Sequence, residues 1–154
     1  MSAELSLHEL RVDDADEMVA VLAPLELYAI TGGGPPSLEE LRRRYESQVA
    51  GSGRADEQWL NWIVRLDGVA VGYVQATVVA DTATLAWLIG VPWQRQGHAT
   101  TATAAMMELL RSDGVERFDA WIAPRHVGSE TVARRVGLAP TDETDDDGEV
   151  RWSS

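Results

Sequence analysis

The stretch Gln94-Arg95-Gln96-Gly97-His98-Ala99-Thr100 has the residue types and spacing of a ligand-binding turn. It lies between an apolar run, Ala83 to Val91, and a run rich in Ala, Met and Leu, Ala99 to Leu110. The first run reads as a buried strand and the second as a helix. Pro92 ends the strand, because proline has no N–H for a sheet ladder. Gly97 and Ala99 keep bulky side chains out of the turn, so the backbone can approach a ligand. The opening N–H groups of a helix lack internal acceptors and sit at the positive end of its dipole. Strand, small-residue turn and helix start, in that order, suit a phosphate or pyrophosphate. The turn lacks the Lys-Ser/Thr of a Walker A loop and the three glycines of a dinucleotide fingerprint, so the ligand is of another phosphate class.

The elements that must position this turn come from the whole chain, and 154 residues predict a single domain, 1–154, with a sizeable core. There are no cysteines, hence no disulfide framework and no thiolate metal site. His8, His98 and His126 share no metal-ligand spacing, so no metal is expected. No apolar run reaches membrane-spanning length, and the first residues do not read as a signal peptide. The expectation is a cytoplasmic protein with no membrane partner. A net charge of -12 and a pI near 4.5 argue against a nucleic-acid partner. An acidic surface reads first as solubility; the alternative is steering of cationic substrates, such as amines or basic peptides.

Taken in order, Leu5, Leu7 and Leu10 suggest a first strand, and Asp13 to Ala23 a helix capped by Asp13 or Asp14. Leu25 to Ile30 fits a further helical turn. Thr31 to Pro36 is a loop, after which Ser37 and Glu40 form a capping box for a helix to about Val49. Its apolar face holds Leu38, Leu41, Tyr45 and Val49, and Arg42, Arg43 and Arg44 form a solvated cluster. Trp59 to Leu66 alternates as a strand, Asp67-Gly68 is a hairpin turn, and Val69 to Val79 returns, with Gly72 marking a bulge. Asp81-Thr82 turns into the strand Ala83 to Val91. The helix from about Gln96 to Arg111 then crosses to a strand, Glu116 to Ala123, parallel to the one before. A helix closed by Gly137 and a hairpin, Thr141 to Trp152, complete a mixed α/β fold.

Gln94-Arg95-Gln96-Gly97-His98-Ala99 resembles the acyl-CoA loop of the GNAT superfamily of N-acetyltransferases, Gln/Arg-x-x-Gly-x-Gly/Ala. Ile122 to Leu138 resembles the family's second motif, with His126 at its Asn position, Ser129 at its Ser position and Gly137-Leu138 at its Gly-Phe position. The element order agrees, so the resemblance spans essentially the whole chain. It is nearest to the ribosomal-protein-alanine acetyltransferase-like branch, in which Ser rather than Tyr marks the second motif. The resemblance implies a central mixed, mostly antiparallel sheet flanked by helices, with a V-shaped splay between the fourth and fifth strands.

The resemblance also implies acetyl transfer from acetyl-CoA, the co-substrate, to a primary amine by direct attack, the amine being a protein N-terminus or a small molecule. The pantetheine arm pairs with backbone near Ile89 and Val91, and the pyrophosphate sits on the N–H groups of Arg95 to Thr100. Ser129 is either a thiolate contact or a helix start. His126 is either a base or a residue capping the helix in place of Asn. The family's strand Glu is Thr84 here and its helix Tyr is Ala133, which puts a simple acid–base pair in doubt. The acceptor site draws on the first two helices and nearby strands, with Tyr28, Trp59, Asn61 and Trp87 as candidates. A homodimer through a sheet edge or the C-terminal hairpin fits such a domain. The other functional readings are an acyl-CoA-binding module with little or no catalysis and an interaction domain that binds no CoA.

Overall fold

The computed structural model describes residues 3–154. Its sheet has seven strands, β1 (Leu5–Glu9), β2 (Glu57–Leu66), β3 (Val69–Val79), β4 (Thr82–Ile89), β5 (Arg117–Ile122), β6 (Ala139–Thr144) and β7 (Val150–Ser153). The order across the sheet is β1-β2-β3-β4-β5-β7-β6, and among the described residues only β4 and β5 pair in parallel. Among the described residues four α-helices cover the sheet: α1 (Ala15–Val21), α2 (Leu38–Ala50), α3 (His98–Ser112) and α4 (Val127–Arg135). The expected element sequence is observed. The final hairpin enters the sheet through its second strand, so β6 rather than β7 forms the edge.

Alternation along the strands builds a core on each face of the sheet. Ile63 and Ala70 pack with Met18 and Val21 of α1, with Leu22 just after it, and with Leu41 and Tyr45 of α2. Val64, Val74, Leu85 and Ile89 pack with Met106, Met107 and Leu110 from α3 and Ala133 from α4. Met18, Leu41, Met106 and Leu110 are fully buried, each contributing about 1.5–3 kcal/mol of apolar transfer.

Local chemistry sets the connections. Asp67 and Gly68 take φ of 48° and 85°, as a two-residue hairpin turn requires. Val71 is the extra residue of a bulge, since Val64 pairs with Gly72 and Arg65 with Ala70. Gly72 is next to that bulge, and close approach requires glycine there: a Cβ would lie 2.1 Å from the Leu88 carbonyl oxygen. Ser37 and Glu40 form the expected capping box, at 3.1 and 3.2 Å.

Several boundaries differ from expectation. The first helix is split into a 3-10 turn, Val12–Asp14, and α1. The Asp14 carboxylate caps no helix N–H; it accepts from the Arg11 N–H and from Arg65. Val49 is 53% exposed, and the inward stripe of α2 continues from Tyr45 through Gln48 instead. The β3–β4 turn is Ala80-Asp81, with Ala80 at φ 54°, and Thr82 already belongs to β4.

Candidate active site

β4 ends at Ile89, two residues earlier than the apolar run suggests. Gly90 bends the chain there: its N–H donates to the Val71 carbonyl at 2.7 Å, and the Trp93 N–H donates to the Gly90 carbonyl at 3.0 Å. Val91 therefore opens a 3-10 turn, Val91–Trp93, and does not extend the strand. Pro92 fits that turn. Gln94 stitches the turn to the strand, its side-chain amide donating to the Ile89 carbonyl at 2.8 Å.

The chain beyond Gln94 adopts an unusual backbone. Arg95 has φ 62° and Gly97, the residue capping α3, has φ 84°. Left-handed residues in a tight turn can gather N–H groups into a concavity suited to an anion. The N–H groups from Arg95 to Thr100 have no acceptor among the described residues; the first α3 bond runs from the Thr101 N–H to the Gly97 carbonyl. α3 starts at His98 rather than Gln96, which leaves more of the turn free to present its N–H groups. Nothing lies within 4 Å of where a Gly97 Cβ would stand, so the loop faces open space. The His98 imidazole lies 3.2 Å from the Gln96 side-chain oxygen, so these two side chains engage each other.

The sheet opens beside this loop. β4 and β5 pair only from Thr82–Arg117 to Leu85–Ala120. Beyond that point β5 pairs on its other side with β7, and β4 from Ala86 to Ile89 keeps only its β3 neighbour. The expected splay between the fourth and fifth strands is present.

His126 and Ser129 meet at the start of α4. His126 is the residue capping α4, its Nδ1 accepting the Ser129 N–H at 3.1 Å. His126 Nε2 makes no hydrogen bond among the described residues. Arg134, one of two arginines on α4, lies over the Trp152 ring at 5.1 Å. Ala133, where the resemblance puts a tyrosine in the family, is fully buried.

A pocket of about 170 Å³ lies on the α1/α2 face of the sheet. Its floor is Asn61, Tyr73 and Gln75, and its walls include Arg44, Tyr45 and Gln48 from α2. Gln75 pairs with Ala86 and Tyr73 with Leu88, so the floor abuts the part of β4 that β5 has left. Asn61, an expected acceptor contact, is in this pocket. Tyr28 stands beside it, donating its hydroxyl to the Leu22 carbonyl at 2.7 Å. Burial raises the hydroxyl pKa of Tyr28, Tyr45 and Tyr73, and the nearby Arg44 charge opposes that rise. All three are therefore neutral donors at pH 7.

Two acceptor candidates are not brought into this pocket. Trp59 is 39% exposed and lines a separate hollow with Gly51 to Arg54. Trp87 packs into the core on the α3 face, where its indole N–H is buried without a partner among the described residues. Sequence reasoning missed Arg44, Gln48, Tyr73 and Gln75. The alternation of Tyr73, Gln75 and Thr77 against Val74, Ala76 and Val78 was a signal, but alternation alone reads equally as a solvated face.

Among the described residues no group of His, Asp and Glu is placed to hold a metal ion, and no helix is long and apolar enough to cross a membrane.

A mixed sheet that opens beside a helix-start loop of free N–H groups is the GNAT architecture. The chain belongs to the acetyltransferase (GNAT) domain family, which it matches over residues 4–139. No curated protein sequence matches it. An acetyltransferase from Thermus thermophilus superposes with a TM-score of 0.84 at 21% identity, over 100% of this chain and 99% of that one. Aminoglycoside acetyltransferase AAC(6')-Ib, in complex with coenzyme A, gives a TM-score of 0.82 at 19% identity, over 98% and 94% of the chains. RimL, the ribosomal L7/L12 alpha-N-protein acetyltransferase, in complex with coenzyme A, gives 0.81 at 14% identity, over 97% and 93%. At these identities the likeness is one of fold.

Proposed function

We propose that this protein transfers an acetyl group from acetyl-CoA to a primary amine within a ternary complex. The observation that carries this reading is the run of N–H groups from Arg95 to Thr100 without acceptors, beside a β4 edge that is unpaired from Ala86 to Ile89. The pyrophosphate binds the loop N–H groups, contributed by Arg95, Gln96, Gly97, His98, Ala99 and Thr100, with Gln94 holding the loop to the strand. The pantetheine arm runs along β4 near Ile89 as an added strand and passes the turn at Val91.

The amine enters from the α1/α2 face, past Asn61 and Tyr28. Its nitrogen bonds to the thioester carbon, the C–S bond breaks, and the products are an amide and the CoA thiol. A backbone N–H of Leu88 or Ile89 steadies the developing oxyanion. A free alkylamine has a pKa of about 10.4, so it must shed a proton before attack. His126 is the candidate base through its free Nε2, and Ser129 the candidate contact for the departing sulfur. Positioning both reactants in one cleft lowers much of the remaining barrier. Within the family, Ser129 at the head of α4 favours the ribosomal-protein-alanine acetyltransferase-like branch.

Calorimetric titration with acetyl-CoA, repeated with ADP and NAD, tests the loop. Micromolar affinity for acetyl-CoA with much weaker NAD binding is expected, and no acetyl-CoA binding rejects the proposal. Thiol release with amines then separates an enzyme from a binding module. The lost Glu and Tyr positions are what favour the module as the second reading.

A further inference from the structure

Three consecutive arginines on α2 point in three directions, as steps of about 100° per residue require. Arg42 pairs with Asp16 on α1, and Arg43 pairs with Glu39 at 3.7 Å on the outer surface. Arg44 reaches the acceptor pocket and forms no ion pair among the described residues. The Glu40 carboxylate, one turn back, accepts the Ser37 N–H in the capping box. The pocket's other polar groups are the amides of Gln48, Asn61 and Gln75 and the neutral hydroxyls of Tyr45 and Tyr73. No carboxylate lines it among the described residues.

This lining has the wrong sign for a polycation. A site for several ammonium groups needs carboxylates to replace their hydration, and a lone guanidinium opposes them. A guanidinium instead matches a carboxylate or phosphate through parallel N–H bonds. The volume, about 170 Å³, is below the range of about 300–1,000 Å³ of pockets for drug-sized ligands. The acidic surface, which suggested cationic acceptors, describes the whole molecule rather than this pocket.

Resting on the acetyl-transfer reading, we infer that the acceptor is a small amine bearing an anionic group, carboxylate or phosphate, with Arg44 binding the anion. The floor at Tyr73 and Gln75 then directs the amine to β4 near Leu88 and Ala86, where the thioester lies. Arg44 acts here as a specificity-determining residue.

The test follows thiol release from acetyl-CoA with matched amines: lysine against cadaverine, phosphoethanolamine against ethanolamine, and kanamycin as a polycation. The anionic member of at least one pair should show a kcat/KM about 10-fold or more above its partner, which is about 1.4 kcal/mol of discrimination. The pair that responds tells carboxylate from phosphate. Arg44→Gln should bring that ratio close to one, and Arg43→Gln should preserve it. Equal ratios in the native protein, or a preference for cadaverine or kanamycin, overturn the inference. If acetyl-CoA binds and no amine reacts, acetyl transfer fails, and calorimetry with phosphoethanolamine and lysine judges the pocket separately. Binding that disappears in Arg44→Gln keeps the anion assignment, and no binding overturns it.

Discussion

At the scale of single residues, Gly97 and His126 have roles that separate cleanly by substitution. Gly97 sits at φ 84° with no atom near its absent Cβ. A Cβ there meets nothing within 4 Å, but a β-branched residue takes on a left-handed strain of about 1–2 kcal/mol and projects into the space before the loop. Gly97→Val should raise the acetyl-CoA Kd by at least about 10-fold, measured by calorimetry, with only a modest fall in melting temperature. An unchanged Kd would mean that the ligand does not approach this turn. For His126, the Nδ1 bond to the Ser129 N–H shows a cap, while the free Nε2 is available for chemistry. Asparagine also caps well. His126→Asn should therefore keep the melting temperature and lower kcat by about 100-fold or more if Nε2 is the base. Turnover retained in that variant would leave His126 as a cap alone.

At the scale of elements, α1 is clamped to the β2–β3 hairpin by charge. Arg65 donates to Asp14 at 3.1 Å and to Glu17 at 2.9 Å, and the other Glu17 oxygen accepts the Ala70 N–H at 2.7 Å. Ala70 lies beyond the last β3–β4 pair, Gly72–Ile89, so the carboxylate satisfies a donor that β4 does not reach. The Ala70 bond is the main cause that lowers the Glu17 pKa from its ordinary 4.5; burial opposes it and Arg65 adds to it. A lowered folded-state pKa gives stability that is present above the ordinary value and lost as pH falls through the folded one. Glu17→Gln should thus lower the melting temperature at pH 7, and the gap from the native protein should narrow below about pH 4. A gap that stayed constant with pH would show that the clamp is steric. The loop–strand junction is a second element whose bounds the sequence misjudged. The apolar run continues through Val91, but Gly90 has already turned the chain, so hydrophobicity outlasts the strand.

At the scale of the molecule, a net charge of -12 would face the phosphate-bearing co-substrate of the proposed reaction. The loop N–H groups act at contact, whereas the net charge acts out to the Debye length, about 30 Å at 0.01 M salt and about 8 Å at 0.15 M. Raising salt between those limits should increase the association rate of acetyl-CoA several-fold, as read by stopped-flow, because repulsion is screened before contact is made. A falling rate would show that a local basic surface governs the encounter. The same contrast between global and local charge explains why the acidic composition pointed toward cationic acceptors while Arg44 faces the pocket without a partner among the described residues.

The element order, the Ser37 capping box, the Asp67-Gly68 hairpin and the loop at Gln94 to Thr100 were all legible in the chain before it folded. Each is written in neighbouring residues: a periodicity, a cap three positions away, a glycine that tolerates positive φ. The family's two motifs could be read for the same reason. Folding, by contrast, settled that β7 rather than β6 joins β5, that Trp87 enters the α3 core while Asn61 faces a pocket, and that Arg44 joins Tyr73 and Gln75 there. Those placements depend on which face of a strand a helix covers and where two strands part. Alternation marks two faces of a strand, but the partner each face receives is set by elements far away in sequence.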